Sequence, residues 1–190
     1  LLFVLGFGFS HFVEKFDLKA LKSFPIWFLG KVIRFANPNR PFIFIFLFIF
    51  LFNSIAICLY MLSGLLVVFP VLIAFLTGTN IGIIILHPLP EEVKDVNIYR
   101  PREAISFGPF LALLTALVPL LELFAFCAAI AMGLEMASEI FLGCSSIDCG
   151  GYVRLAVALA VPRLKTYLML CVPPLFISAL AEARVIKEFK

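Results

Sequence analysis

PFIFIFLFIFLFNSIAICLYMLSGLLVVFPVLIAFLTGTNIGIIIL, residues Pro41–Leu86, contains no Asp, Glu, Lys or Arg. A helix that crosses a bilayer needs ~20 predominantly apolar residues, so this run holds two. Its opening phenylalanines alternate like a strand pattern. A membrane strand, however, sets apolar residues against polar ones because one face lines a lumen. Here both alternating sets are apolar, which places bulk on every side of a helix and suits lipid contact. The first span is read as Phe42–Ser63, with Gly64–Val68 as a short connection and Phe69–Leu86 as the second span.

The rest of the chain agrees with that reading. Hydrophobic residues make up 63% and charged residues 14%, against roughly 45–50% and 25% in soluble domains. A water-soluble core would have no polar face to show. The net charge of +3 comes from basic residues lying between the apolar runs, so nucleic acid is not an expected partner. No zinc-finger, P-loop, GxSxG or HExxH pattern is present. No Ser–His or paired-Asp arrangement stands at membrane depth, and the chain is read as a non-enzyme.

Upstream, Leu1–Val13 reads as the tail of a first membrane helix that begins before Leu1. A cleaved signal peptide is the rival, but no basic n-region precedes it and no A-x-A site follows. Residues 14–40 are basic, with Lys15, Lys19, Lys22, Lys31, Arg34 and Arg40 against Glu14 and Asp17. Phe24, Trp27, Phe28, Val32 and Phe35 recur there at helical spacing. This predicts an amphipathic helix in the membrane interface with snorkelling lysines, or a connector helix packed on the bundle.

Downstream, FGPFLALLTALVPLLELFAFCAAIAMGL (Phe107–Leu134) carries one ionisable residue, Glu122, three positions after Pro119. A charge at the bilayer centre costs ~2.5–3.5 kcal/mol on insertion scales. Phe107–Val118 as helix is only ~18 Å long, too short to cross a ~30 Å core. The expectation is a half-helix, re-entrant or a kinked extension, then a break at Pro119 and a full helix from Leu120 to Leu142. Tyr152–Val161 reads as an interfacial helix. Arg163–Ala183 is the last span, interrupted by Pro173-Pro174. The fold class is an all-α polytopic membrane bundle of about five spans, with one broken or re-entrant helix. Its core is 41–185 and its tail 186–190. The positive-inside rule puts the basic 14–40 loop and the C-terminus in the cytoplasm of a multi-pass cell-membrane protein.

Several residues stand out within this frame. Glu122, with Asn53 and Asn80, is the candidate site for a cation or a proton, since broken helices near mid-membrane hold such sites in transporters. The plainer reading is a Glu122 that bonds the carbonyls freed by Pro119, with the asparagines as interhelical glue. Glu135 and Glu139 lie one turn apart. With His87 they make a weak candidate metal site, against the plainer solvated helix end. Ala74, Gly78 and Gly82 form one ridge of small residues, and Ala125, Ala129, Gly133 and Ala137 form another. Such ridges let helix backbones approach closely. They suit each other or a second copy, hence an expected homodimer. Cys144 and Cys149 could close a small disulfide in an oxidising space, with free thiols or a metal pair as alternatives.

Three stretches together carry a family resemblance. FLFNSIAI is similar to a Phe-x-Asn-Asn start of a span, with Asn53 matching and Ser54 replacing the second Asn. GTNIG (Gly78–Gly82) follows at the end of the next span. LVPLLELFAFCAAIAMGLEMA resembles a Leu-Pro-His-Gly-x-x-Glu-Leu-x-Ala signature. Pro119, Glu122, Leu123 and Ala125 match it, while Leu120 and Leu121 replace His-Gly. The closing PPLFISALAEARV, with its late Glu182, looks like the same family's terminal helix. In this order they resemble the stage II sporulation protein M family of integral membrane proteins. The resemblance covers Phe42 to about Val185. It implies a multi-pass membrane protein, tied in spore formers to septal remodelling during engulfment, with no established biochemical activity. The missing His argues against any mechanism needing a His–Glu pair. The function expected first, from the carboxylate at a helix break, is a transporter or channel for a small cation. The alternative, from the resemblance and the small-residue ridges, is a non-catalytic scaffold that assembles with other membrane or envelope proteins.

Overall fold

A computed structural model describes residues 1–86, 109–143 and 149–188 of the chain. These residues are almost wholly helical: α1 (Leu2–Lys15), α2 (Lys19–Phe35), α3 (Phe42–Leu62), a 3-10 turn (Ser63–Leu66), α4 (Phe69–Leu86), α5 (Pro109–Gly143), α6 (Cys149–Leu170) and α7 (Val172–Glu188). Three of them are long and apolar enough to cross a membrane, within Phe42–Leu66, Phe69–Leu86 and Ala112–Gly143. The bent pair α6–α7 makes a fourth when counted as one span. α1, read from the sequence as the end of a fifth span, has 14 described residues, ~21 Å of helix, and is not among the helices long and apolar enough to cross.

Close contacts set the helix directions. Asn53 meets Glu122, and Gly64, further along α3's course, faces Gly133, so α3 and α5 run parallel. Ser178 reaches Val118 and Cys171 reaches Ala125, so α7 runs antiparallel to α5. Lys187 Nζ donates to the Pro38 carbonyl at 2.9 Å, which joins the C-terminal helix to the basic 14–40 segment at one end of the bundle. At the other end, the Tyr152 hydroxyl donates to the Leu65 carbonyl within the 3-10 turn.

The Ala74–Gly78–Gly82 ridge is covered by α1. A Cβ on Gly78 would strike the Phe3 carbonyl, and one on Gly6 would strike the Phe75 carbonyl. Glycine at both positions lets the backbones touch, and Thr79 Oγ1 donates across the seam to the Gly6 carbonyl at 3.1 Å. The second ridge is also covered within the chain. Ala125 and Ala129 pack with Ile57 and Met61 of α3 and with Cys171 and Leu175 near the α6–α7 bend. The two ridges therefore do not pair with each other. The first ridge meets the backbone of α1, while in the second Gly133 meets the α3 backbone and Ala125 and Ala129 meet larger side chains.

Two expected breaks are corrected. α5 runs unbroken through Pro119, so there is no half-helix ending there. A helical proline forfeits one bond and costs ~3 kcal/mol. Here Val118 and Ala125, 2% and 0% exposed, are held by neighbours on both sides, and such packing carries a membrane helix through the gap. Tyr152–Val161 is likewise no separate helix but the first half of α6. The break falls at Cys171, where α6 and α7 meet at 41°. Pro173 and Pro174 then occupy the first turn of α7, where N–H groups have no intrahelical partner to lose.

At the basic end, α1 turns into α2 around Lys22, whose Nζ meets Glu14 Oε2 at 2.9 Å and Asp17 Oδ1 at 3.0 Å. Bonding to Glu14, then to Asp17, raises the Lys22 pKa above its ordinary value, so the elbow keeps its charge. Phe24 and Trp27 of α2 are exposed, as an interfacial helix requires.

Candidate functional site: an intramembrane carboxylate clamp

Asn53 lies about 16 Å along the ~31 Å of α3, near mid-depth. The parallel course of α5 brings Glu122 to the same level. Asn53 Nδ2 donates to Glu122 Oε1 at 2.6 Å. Ser178 Oγ, from the antiparallel α7, donates to the same oxygen at 3.2 Å. Ser178 is fully buried, and its hydroxyl also lies 3.5 Å from the Val118 carbonyl. One acceptor thus ties three helices. Oε2 takes neither bond.

The structure places Glu122 against side chains of two other helices rather than against carbonyls near Pro119. Asn53 links α3 to α5 through this bond. Asn80 does not join: it is half-buried on α4 and shares no hydrogen bond with Asn53 or Glu122. Ser178 is the member that sequence reasoning missed. Its signal was slight, a lone hydroxyl in the apolar run PLFISALA of a helix whose Glu182 drew attention instead.

Further polar contacts brace the same helices. Tyr167 of α6 donates to the Ser54 carbonyl at 2.5 Å, one residue from Asn53. Thr77 Oγ1 of α4 lies 3.2 Å from the Tyr60 hydroxyl of α3. The Tyr167, Thr77 and Tyr60 hydroxyls find partners inside the bundle, as most buried polar groups do, whereas the buried Ser54 Oγ has none among the described residues.

Glu135 and Glu139 share a helix face, and what they hold is Arg163 of α6. Its Nη2 lies 2.6 Å from Glu139 Oε1 and 3.7 Å from Glu135 Oε2, while Nη1 donates to the Leu159 carbonyl at 3.1 Å. Both carboxylates of the candidate metal site are thus paired with a guanidinium. Among the described residues no group of three His, Cys, Asp or Glu side chains could hold a metal. His87 lies outside the described residues, as does Cys144 with the pairing to Cys149. Gly133 is level with Gly64, so Leu134–Gly143 carries α5 about 15 Å past the 3-10 turn. The Glu139–Arg163 pair braces that overhang.

Bundle and clamp define a polytopic α-helical membrane protein with a hydrogen-bonded carboxylate at mid-depth. The family model described as Stage II sporulation protein M matches residues 1–185, and the chain belongs to that family. The match includes α1 and α2 as well as the motif-bearing stretches. No curated protein and no solved structure matches the chain.

Proposed function

We propose that the protein is a non-catalytic integral membrane component that acts by assembling with other membrane or envelope proteins. The observation that carries this reading is the convergence of Asn53 and Ser178 on Glu122 Oε1. Three of the family-like stretches meet there, and they meet in a contact that holds helices together. Family membership supports the same reading through its link to envelope remodelling. A homodimer, or a complex with another membrane protein, would use a lipid-facing surface, because both small-residue ridges are covered within one chain.

A second reading, movement of a small cation or a proton by way of Glu122, draws on one observation. Both donors occupy Oε1, Oε2 is left out of the clamp, and Glu122 itself is only half-buried. Glu122→Gln separates the two. The amide keeps an acceptor oxygen in place and removes the ionisable group. If the clamp is the function, Glu122→Gln retains the fold and the partners captured by in-cell crosslinking. If transport is the function, proteoliposomes of the wild type show a cation or proton flux that Glu122→Gln abolishes. A wild-type flux lost in the variant would overturn the assembly reading.

A further inference from the structure

Near the basic end of the bundle, α3, α5 and α7 leave a groove of about 460 Å³. Leu114 and Leu117 of α5, Ile177 and Leu180 of α7 and Phe42 of α3 form its wall, and Arg184 stands at its mouth. The size falls within the ~300–1,000 Å³ of small-molecule sites. Because α5 and α7 are antiparallel, the groove runs along the bundle axis. Leu117 and Ile177 lie deep, and Arg184 lies at the shallow end, beside the start of α3. Its rim is open to the lipid side, with Ile177 and Leu180 50% and 44% exposed.

The chemistry of this wall selects its occupant. Apart from Arg184, the lining residues offer no hydrogen-bonding side chain. A peptide lodged here would leave N–H and C=O groups unsatisfied in hydrocarbon. An acyl chain has no such groups. Arg184 supplies the other half of the match, since a guanidinium binds phosphate oxygens in bidentate fashion and its stem lets the charge reach headgroup level. Its ion pair with Glu188, at 2.9 Å, joins two exposed groups, and exposed pairs are weak. Lys187, one turn along the same helix, adds positive charge to this end.

We propose that this groove holds one acyl chain of an anionic membrane phospholipid, with its phosphate on Arg184. The test uses the full chain in phosphatidylcholine vesicles, with Trp27→Phe removing the native tryptophan and Leu180→Trp placing a reporter on the rim. Quenching by phosphatidylglycerol with brominated acyl chains is compared with quenching by the matching phosphatidylcholine. The anionic lipid is expected to quench at about one-fifth the mole fraction, the selectivity one basic residue gives at a membrane surface. Arg184→Gln is expected to remove the preference, and Ala181→Phe, which fills the groove without altering charge, to do the same. Lys31→Gln, on α2, is expected to preserve it. Equal quenching by the two lipids overturns the proposal. So does a preference that survives Arg184→Gln, or one lost as fully with Lys31→Gln, which would reflect only a basic surface. Relief of quenching by excess inorganic phosphate would assign the site to a soluble anion and also overturn it.

Discussion

A hydrogen bond between membrane helices averages ~0.6 kcal/mol and reaches ~1.7 kcal/mol. On that scale the Glu122 clamp, with two donors on one oxygen, contributes about 1–2 kcal/mol. Glu122→Leu is expected to lower stability in detergent by that amount, because Asn53 and Ser178 lose their common acceptor. Ser178→Ala removes one donor and leaves the shorter Asn53 bond, so its expected cost is about 0.5 kcal/mol. Glu122→Gln should lie close to the wild type. Thermal unfolding of the purified protein orders the three. A Glu122→Gln as unstable as Glu122→Leu would mean that the clamp depends on charge rather than on an acceptor. Glu122 and Asn53 were both legible in the sequence as polar residues at depth. Their contact was not, because it depends on α3 and α5 lying parallel and level. Asn80 was grouped with them by residue type, and a helix face, not a type, decides who meets.

At the scale of elements, the seam between α1 and α4 is the most extensive helix contact among the described residues. Gly78 meets the Phe3 carbonyl there, whereas Gly8 on the same α1 faces open space. Gly78→Leu must push the helices apart, and overpacking of this kind costs about 1–3 kcal/mol. Gly8→Leu meets nothing and is expected to change stability by less than about 0.5 kcal/mol. Thermal midpoints of the two variants measure the contrast, and equal midpoints would contradict the close α1–α4 packing. The ridge containing Gly78 was visible in the spacing of small residues, yet the spacing could not say which helix would cover it. Pro119 shows the opposite limit. The local rule that proline ends a helix is sound for an isolated segment, and it failed because α3 and α7 hold α5 on both sides of the gap. The α6–α7 bend obeys the same rule at Pro173-Pro174, where a first turn accepts proline without loss.

For the whole molecule, the Lys187–Pro38 bond requires the C-terminus and the basic 14–40 segment to share a side of the membrane. The positive-inside rule predicts that this side is the cytoplasm. A green fluorescent protein fused after Lys190 is expected to fluoresce in a bacterial host, and alkaline phosphatase fused there is expected to be inactive. The reverse pattern would invert the assigned orientation. The order of the apolar runs could be read from the hydropathy pattern, although their number as spans could not, since three helices, or four with the bent pair, are long and apolar enough to cross among the described residues. The depth of each residue could not, since α5 is longer than the membrane it crosses and its two ends are not equivalent.

That unequal length has a mechanical consequence. The clamp fixes α5 at Glu122, and from there to Gly143 the helix extends ~32 Å. It is a lever with its fulcrum in the middle of the bilayer and its tip beyond the short turn joining α3 and α4. Rocking α5 by about 10° about the fulcrum would carry that tip through 5–6 Å, given a helical rise of ~1.5 Å per residue. The ion pair to Arg163 acts as a guy-line that resists the swing. Any swing of α5 about Glu122 would therefore have to break the Arg163 pair and open the Gly64–Gly133 backbone contact before the tip could move.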